Sequence, residues 1–262
     1  HVSLCPPLTS ALLQIVDALL QQHSKRRITA ALTLTELAPV LVLLGPALAS
    51  DPRLFAQLLD LLRTAQLSGS LPQLRQANPA SEQARIKPEH SFVHAALQQV
   101  FLPALVCCGN NKYLCAKLWN VLGCLPWSVR YSLYSSLQQT TYTGGELPGA
   151  WGLGGTSTLA PSLLAVGEGC SLLPKLAGLR AEHFTRQALK RVAADTVRRA
   201  GQQFGKTAAG NALVLFSTLL TQLSQYDNLI AMVAEQSLGS LTPMAIDQGM
   251  FFESKQATKI TC

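Results

Sequence analysis

The chain has 262 residues, of which 48% are hydrophobic and only 13% are charged, about half the charged share of an ordinary globular protein. The formal net charge is +7, and the sparse acidic residues disfavour general acid–base catalysis, which needs positioned carboxylates. The apolar surplus predicts surfaces that further chain or partners cover. Because the chain begins at His1 and ends at Cys262, we expect it to be a segment of a longer protein.

The N-terminal part reads as amphipathic helices. Residues 8–22 predict a first helix with Leu8, Ala11, Leu12, Ile15, Val16, Leu19 and Leu20 on one face. Residues 29–49 predict a second helix, kinked or split by its prolines. Ser50, Asp51 and Pro52 predict the start of a third helix, with Leu54, Phe55, Leu58, Leu59, Leu62 and Ala65 inward. The apolar run 37–49 is too short to span a bilayer, so we expect no membrane segment.

Further helices are expected after a polar segment. Residues 68–86 contain two prolines and predict a loop. Residues 88–108, bent at Pro103, then 111–123 and 126–139 predict three more helices. Four aromatic residues lie around the break between the last two, and we expect them to pack rather than to form a ligand cage; they are Trp119, Trp127, Tyr131 and Tyr134.

A glycine-rich stretch divides the chain. Nine of the 18 glycines fall within residues 143–178, a segment without a periodic apolar stripe. Such a composition gives up much chain entropy on ordering, so we expect a flexible insertion there. The predicted organisation is therefore a helical segment 1–142, the insertion 143–178 and a helical segment 179–262. With no alternating strand pattern, the predicted fold is all-α, built of stacked antiparallel helix pairs like an α-solenoid.

The stretch 180–230 predicts a helical hairpin with a basic outer face. On the first helix, Leu189, Val192, Ala193, Thr196 and Ala200 share one face, and Gln187, Lys190, Arg191 and Arg198 lie opposite. Gly201 and Gly205 predict the end of this helix, and a second helix is expected from about Asn211. Its apolar stripe comprises Leu213, Leu215, Phe216, Leu219, Leu220 and Leu223. Helices over 227–238 and 242–252 complete the series.

Positive charge is concentrated on this hairpin. Residues 180–206 hold seven basic and two acidic side chains, hence +5 of the total +7. The exposed cations expected to contact a nucleic acid or a partner are Arg186, Lys190, Arg191, Arg198, Arg199 and Lys206. Aromatic residues do not interleave with them, so base stacking is not indicated. A solvated polar face or pairing with an acidic partner explains the same charges.

Residues 201–207 imitate a phosphate-binding loop. That loop needs four residues between its first glycine and Gly-Lys-Thr, so that its amides curl around a phosphate. Three residues separate Gly201 from Gly205 here, and a cationic helix precedes them where a buried strand belongs. We interpret the segment as a turn between helices with a basic tip, and expect no nucleotide cofactor.

No catalytic or metal-binding pattern is found. The seven cysteines lack paired spacing, which favours small apolar residues inside helices of a reducing compartment over disulfides or metal ligands. His90 and His94 share a helical face without a completing ligand, and we expect the five histidines to lie on the surface. We predict an intracellular protein that is not an enzyme and that carries no metal or cofactor.

Two blocks of sequence resemble one protein family. Residues 118–134 read LWNVLGCLPWSVRYSLY and are similar to the form LWxVLxxFPYxxRYxLYGEW of the THO complex subunit 2 family. Residues 201–230 read GQQFGKTAAGNALVLFSTLLTQLSQYDNLI, where the family has roughly GRxIGKLSHSNPxxLFxxILxQIQxYDNLI. The chain departs at Leu125, at Trp127 and at residues 135–137, and its glycine-rich stretch is longer than the family's connector.

The resemblance implies a non-catalytic helical scaffold. Proteins of that family hold the other THO complex subunits and help dock a DEAD-box RNA helicase, in a nuclear complex that couples transcription to mRNP assembly and nuclear mRNA export. By this resemblance we expect a nuclear protein with those partners and no membrane partner. The alternative drawn from the residues is a helical RNA-binding module that uses the basic helix of residues 180–206, with mRNA as its ligand.

Overall fold

A computed structural model describes residues 5–26, 29–68, 92–141, 172–192, 196–223 and 239–260. Within these ranges every regular element is a helix, which confirms the predicted all-α class. The α-helices are α1 Pro6–Arg26, α2 Ala30–Leu44, α3 Pro52–Leu67, α4 Phe92–Ala96, α5 Leu102–Cys108, α6 Lys112–Leu122, α7 Trp127–Thr141, α8 Leu172–Leu189, α9 Val197–Leu223 and α10 Pro243–Ile260. A 3-10 helix, Gly45–Ser50, follows α2, and a π-helix, Leu97–Phe101, joins α4 to α5.

The chain divides into two compact units. The first contains His1–Cys108 and Tyr113–Leu133, and the second contains Gly109–Lys112 and Tyr134–Cys262. In the first unit α1 packs on α2 and α2 on α3; in the second, α8 packs on α9 and α9 on α10. This packing of neighbouring helices agrees with the predicted pairs, and the solenoid arrangement stays a prediction.

Helix α3 forms where its start signal predicts. The Asp51 carboxylate accepts hydrogen bonds from the amides of Arg53 and Leu54, both at 3.0 Å, and Pro52 occupies the first helical position. These contacts satisfy amides that the helix itself leaves without an acceptor. All six residues predicted to face inward are buried, so cap and apolar stripe agree on one helix.

The two prolines of the second predicted helix have different effects. Pro39 lies inside α2, and the helix ends at Leu44. Gly45 then adopts φ 49°, a left-handed conformation that glycine reaches without steric cost. Pro46 follows in the 3-10 helix. The predicted split is confirmed, and the chain divides beside the second proline.

The bend expected at Pro103 takes the form of a π-helix. Proline has no amide hydrogen, so a helix that runs through it loses one backbone hydrogen bond. The five residues Leu97–Phe101 widen into a π-helix directly before α5, a local widening that commonly accompanies helix bends. Residues 100–106 are all buried, which makes this segment the longest buried run in the described part of the first unit.

The segment Leu32–Ser50 is long and apolar enough to cross a membrane by length and composition, with half of it buried inside the fold. Its buried side chains include Leu34, Leu37, Leu41 and Leu44. Core helices of folded domains pass the same compositional test, so this property is weak support for a span. The buried half accounts for part of its apolar character. The segment is longer than the apolar run 37–49, so the expectation that the run is too short for a span does not hold for it.

Helix α1 buries less than its pattern predicts. Val16 is fully buried, but Leu8 and Ile15 are exposed. The helix also extends to Arg26, beyond the predicted end at residue 22. The amphipathic stripe therefore predicts the helix correctly, but it overestimates how much of the apolar face is buried.

The second unit contains the predicted hairpin, but the turn lies elsewhere. Helix α8 ends at Leu189, and α9 begins at Val197 and runs through both glycines that were expected to end the basic helix. That prediction is wrong: Gly201 and Gly205 are buried positions inside α9. The expected start of a helix near Asn211 corresponds to a kink, since Asn211 has the non-helical angles φ −132° and ψ 43°.

The buried glycine of α9 marks a close approach between backbones. A methyl group built at Gly205 would lie 2.6 Å from the carbonyl oxygen of Ser240, far inside van der Waals contact. The Ser240 hydroxyl also donates a hydrogen bond to the carbonyl of Gly201 at 2.8 Å. Glycine at position 205 is therefore explained by packing and not by the end of a helix.

Several of the remaining predicted boundaries differ from those in the structure. Residues 172–178, assigned to the insertion, form the first two turns of α8. Leu220, assigned to the buried stripe of α9, is exposed. The last helix extends beyond its expected end at 252, to Ile260. The rest of the insertion, most of the loop 68–86 and the helix 227–238 lie outside the described residues and stay predictions, as does the division into segments 1–142, 143–178 and 179–262.

Candidate basic surface on the helical hairpin

The six predicted cations come from three consecutive pieces of the hairpin. Arg186 lies on α8, Lys190 and Arg191 lie in the turn, and Arg198, Arg199 and Lys206 lie on α9. All six side chains are exposed. We call this set the basic hairpin surface. Its outward orientation is as predicted, but the expectation of one continuous cationic helix is wrong, because a turn interrupts it.

The apolar side of the same segment explains the orientation of the cations. Leu189 and Val192, which flank the turn cations, pack against a buried cluster that contains Ala200, Phe204 and Ala208. Burying these side chains removes apolar area from water, worth about 25 cal/mol per Å². The charged neighbours of Leu189 and Val192 are thereby left on the opposite, solvated side.

One member of the basic hairpin surface has an ion pair in the described part of the chain. The Arg186 guanidinium lies 2.6 Å from the Glu182 carboxylate, one helical turn away. Such exposed pairs contribute only about 0.3–0.5 kcal/mol. For the other five cations the described residues supply no carboxylate within ion-pair distance.

A cleft of about 220 Å³ lies beside the turn of the hairpin, between the end of α8 and the start of α9. Arg191 and Arg199 line it together with Gln187, Gln203, Thr196 and the ring of Phe184. The Thr196 hydroxyl donates to the carbonyl of Arg191 at 2.8 Å and so ties the two ends of the turn together. Phe184 is 42% exposed.

Phe184 is the residue that the sequence interpretation missed. The absence of interleaved aromatics was an argument against base stacking, yet the structure places an aromatic ring among the cations. The signal was available in the spacing: Phe184 and Gln187 are three residues apart and share a side of α8, and Arg191 follows four residues later in the turn. Attention to the basic face alone did not reveal it.

Residues 201–207, whose sequence is similar to a phosphate-binding loop, are part of α9. Gly201, Gly205 and Lys206 all lie inside this helix, where backbone amides point along the helix axis to its own carbonyls. The Thr207 hydroxyl likewise donates to the carbonyl of Gln203 at 3.1 Å. A loop of free amides that could hold a phosphate is therefore not formed, and the alternative interpretation as a turn between helices is also wrong.

The aromatic segment of the first unit packs only in part. Tyr134 at the unit boundary is fully buried, whereas Trp127 is 66% exposed, contrary to the expectation for that residue. The Trp127 ring meets the edge of Tyr131 with centroids 5.6 Å apart. Arg130 stacks over Trp119 at 5.5 Å and donates to the carbonyl of Leu125 at 2.8 Å. These contacts fix the turn between α6 and α7.

Two histidines are buried, which corrects the expectation that all lie on the surface. His23 contacts the Thr33 hydroxyl at 3.0 Å and the Glu36 carboxylate at 3.0 Å, so it joins α1 to α2. His94 contacts the Ser132 hydroxyl at 3.1 Å. His183 is exposed on α8. The contacts of both ring nitrogens of His23 and of the Nε2 atom of His94 offset part of the cost of burying a polar ring.

The cysteines differ in burial. Cys115 is buried, Cys107 and Cys108 are half-buried, and Cys5 and Cys124 are exposed, so the expectation of apolar core residues holds for only some of them. Burial raises the pKa of Cys107 to about 12 and that of Cys108 to about 11, which keeps both as unreactive thiols. Across the described residues no cluster of three or more His, Cys, Asp or Glu side chains is arranged to hold a metal ion.

Comparison with known proteins decides the family. A profile of the THO complex subunit 2 N-terminus matches residues 32–202 of this chain. The chain belongs to the THO complex subunit 2 family. The match covers α2 to α7, α8 and the turn with its cations, and so includes most of the basic hairpin surface.

Individual members of the family give the same result. THO complex subunit 2 of Mus musculus and that of Homo sapiens are each 27% identical to this chain over 208 residues, 78% of this chain and 11% of either protein. THO complex subunit 2 of Arabidopsis thaliana is 27% identical over 206 residues, 76% of this chain and 10% of that protein. The chain thus spans about a tenth of the length of these relatives.

Proposed function

We propose that this chain is a non-catalytic helical scaffold segment of a THO complex, acting in the coupling of transcription to mRNP assembly and nuclear mRNA export. The observation that carries the proposal is the match of the THO complex subunit 2 N-terminus to residues 32–202. An all-α architecture agrees with a scaffold, because packed helices present long side surfaces to neighbouring chains. The partners proposed are the other THO subunits and a DEAD-box RNA helicase, and the proposed location is the nucleus.

Exposed apolar side chains support a docking role. On α8 the exposed leucines Leu172, Leu176 and Leu179 recur at four- and three-residue steps, which places them in one stripe. In the first unit Tyr113 and Trp127 are exposed on α6 and at the start of α7. Large apolar groups gathered on one face are typical of surfaces that a partner covers.

Co-purification tests the scaffold proposal. Tagged chain expressed in cells is expected to bring down other THO subunits from nuclear extract, and the variant Leu176→Glu is expected to recover less of them. Gln202→Glu, an equal change of charge at an exposed position of α9, serves as the control and is expected to behave like the wild type. Tagged wild-type chain that recovers no THO subunit would refute the proposal.

RNA contact by the basic hairpin surface is a second candidate function. Five of its six cations have no carboxylate partner among the described residues, and two of the five flank a cleft. A row of exposed cations can neutralise phosphates and release the counterions that surround them. The surface can therefore hold a phosphate backbone without reading its sequence.

Charge reversal tests the second candidate. Replacing Lys190, Arg191 and Arg198 together by glutamate is expected to weaken binding of single-stranded RNA in a fluorescence anisotropy titration. The slope of log affinity against log salt should also fall by about 2, since each lost phosphate contact removes about 0.7. An unchanged affinity and slope would remove this candidate and leave the scaffold proposal intact.

A further inference from the structure

The cleft of the hairpin combines three kinds of group that rarely meet by chance. Two guanidinium groups, Arg191 and Arg199, flank an exposed aromatic ring, Phe184, and the amide side chains Gln187 and Gln203 complete the lining. Guanidinium groups bind phosphate oxygens through paired donors. Aromatic rings stack on nucleobases, and side-chain amides hydrogen-bond to base edges. Each group matches a different part of one nucleotide.

The size of the cleft fits a single residue of a polymer. Sites that enclose a free small molecule measure about 300–1,000 Å³, whereas this cleft holds about 220 Å³. A lone metabolite would therefore be poorly enclosed. One nucleotide of a longer strand needs less enclosure, because its neighbours contribute contacts along the rest of the basic hairpin surface.

The floor of the cleft is rigid. Ala200 belongs to the buried cluster of the second unit, and Ala188 packs against that cluster. The Thr196 hydroxyl holds the turn through its bond to the carbonyl of Arg191. Phe184 and Arg199 are thus carried by two packed helices, so binding would require little reordering of the backbone at these two positions.

We propose that this cleft binds one nucleotide of single-stranded RNA, with its base stacked on Phe184 and its phosphate held by Arg191 and Arg199. The proposal rests on the second candidate function and makes it specific. A duplex cannot enter in this way, because its bases are paired and stacked inside the helix, whereas single strands can splay a base outward.

The experiment compares cleft variants of the full 262-residue chain with matched variants outside the cleft. The probe is a labelled single-stranded RNA of about ten nucleotides, with the same sequence as a duplex, as single-stranded DNA and with an acidic peptide as further probes. Arg191→Gln and Arg199→Gln remove cleft charges, and Arg186→Gln and Arg198→Gln remove equal charge from the same surface. Phe184→Ala and Phe184→Leu remove the ring, and Phe184→Trp retains a stacking surface.

The expected result separates the ring from the charge. Phe184→Ala and Phe184→Leu should each weaken binding of the single strand at least about fivefold, and Phe184→Trp should retain it. The two cleft arginine variants should lose more affinity than the two outside variants, and duplex binding should not depend on residue 184. Circular dichroism spectra like that of the wild type confirm that each variant is folded.

Several outcomes would overturn the proposal. Equal losses for all four arginine variants with no effect at Phe184 would mean that RNA follows the charge alone; the second candidate function would then stand without this site. Tighter binding of the acidic peptide than of RNA would assign the cleft to a protein partner, and tighter binding of single-stranded DNA would contradict the RNA assignment. No binding of any RNA by the wild type would refute both the site and the second candidate function.

Discussion

The first unit and the α8–α9 hairpin hold their helices together in different ways. In the first unit the contacts are between large side chains, such as Phe55 against Phe101 with ring centroids 5.9 Å apart. In the second unit, which contains the hairpin, most side chains of the core cluster around Phe204 are alanines. At Gly205 the α9 backbone lies so close to Ser240 that a methyl group would clash with it. Large apolar side chains give the sequence a clear hydrophobic periodicity. Small side chains let backbones approach closely but leave little periodicity in the sequence.

That difference predicts that the first unit is sensitive to a loss of side-chain volume and the second unit to a gain. The largest effect is expected when a large buried side chain of the first unit is removed. Phe55→Ala should lower the free energy of unfolding by about 3–5 kcal/mol, because it removes buried contacts and leaves a cavity. Urea unfolding followed by circular dichroism measures the change. Leu67→Ala, at an exposed position of the same helix, should stay within about 0.5 kcal/mol. Similar values for the two variants would contradict the described core.

In the hairpin unit an added methyl group should be the harmful change. In an exposed helix, a change from glycine to alanine stabilises the helix by about 1 kcal/mol. For Gly205→Ala we expect a net loss of about 1–3 kcal/mol, because the methyl group would meet the Ser240 carbonyl and force the segments apart. Thermal unfolding tests the sign. Gly239→Ala, where a methyl group meets nothing within 4 Å, is the control, and a stabilised Gly205→Ala would show that the close approach is not real.

A smaller effect is expected where the first unit relies on a local cap. Asp51→Ala should cost about 1 kcal/mol, since two amides at the start of α3 lose their acceptor. Asp51→Asn keeps an acceptor oxygen and should lose only a few tenths of that amount. Urea titration of both variants compares them. Equal losses would mean that the charge of Asp51 matters more than its hydrogen bonds.

The smallest effect concerns a surface ion pair of the first unit. Lys117 contacts Asp60 with Nζ 2.6 Å from Oδ1. The hydrogen bond to Asp60 is the main cause of a rise in the pKa of Lys117 above its ordinary 10.5. Lys117→Met should cost at most about 1 kcal/mol at neutral pH.

The pH dependence of this variant checks the sign. A raised lysine pKa stabilises the fold while lysine is charged in both states, and the benefit is lost as the pH rises through the folded-state pKa. The stability difference between wild type and Lys117→Met should therefore be constant from neutral pH to about pH 10 and shrink above it. A difference that grows in alkali would contradict the pair.

The contrast between the two regions also explains which predictions from sequence succeeded. Around α3, the cap residue, the proline and the leucine period all indicate the same helix, and the structure contains it. In α9 the local preference of Gly201 and Gly205 for helix ends competed with tertiary packing, and packing prevailed. That competition involves Ser240, a residue far along the chain, so no local pattern could reveal it.

The candidate site divides in the same way. The exposure of its six cations followed from charge and periodicity, because a lone charge is costly to bury. The cleft did not, since it lies between the end of α8 and the start of α9, where Phe184 and Arg199 both line it. The predicted helix end at Gly201 and Gly205 kept Arg199 on the same helix as Phe184, several turns away from the ring. Locating a turn among alanines and arginines requires three-dimensional contacts, because helix propensity hardly changes along the stretch.

The enclosed run at residues 100–106 has a consequence for how this protein can vary. All seven side chains of this run are buried. During sequence divergence each can therefore be replaced only by an apolar side chain of similar volume. Exposed stretches of α1 tolerate changes in chemistry as well. A polar substitution anywhere in that run would thus cause misfolding.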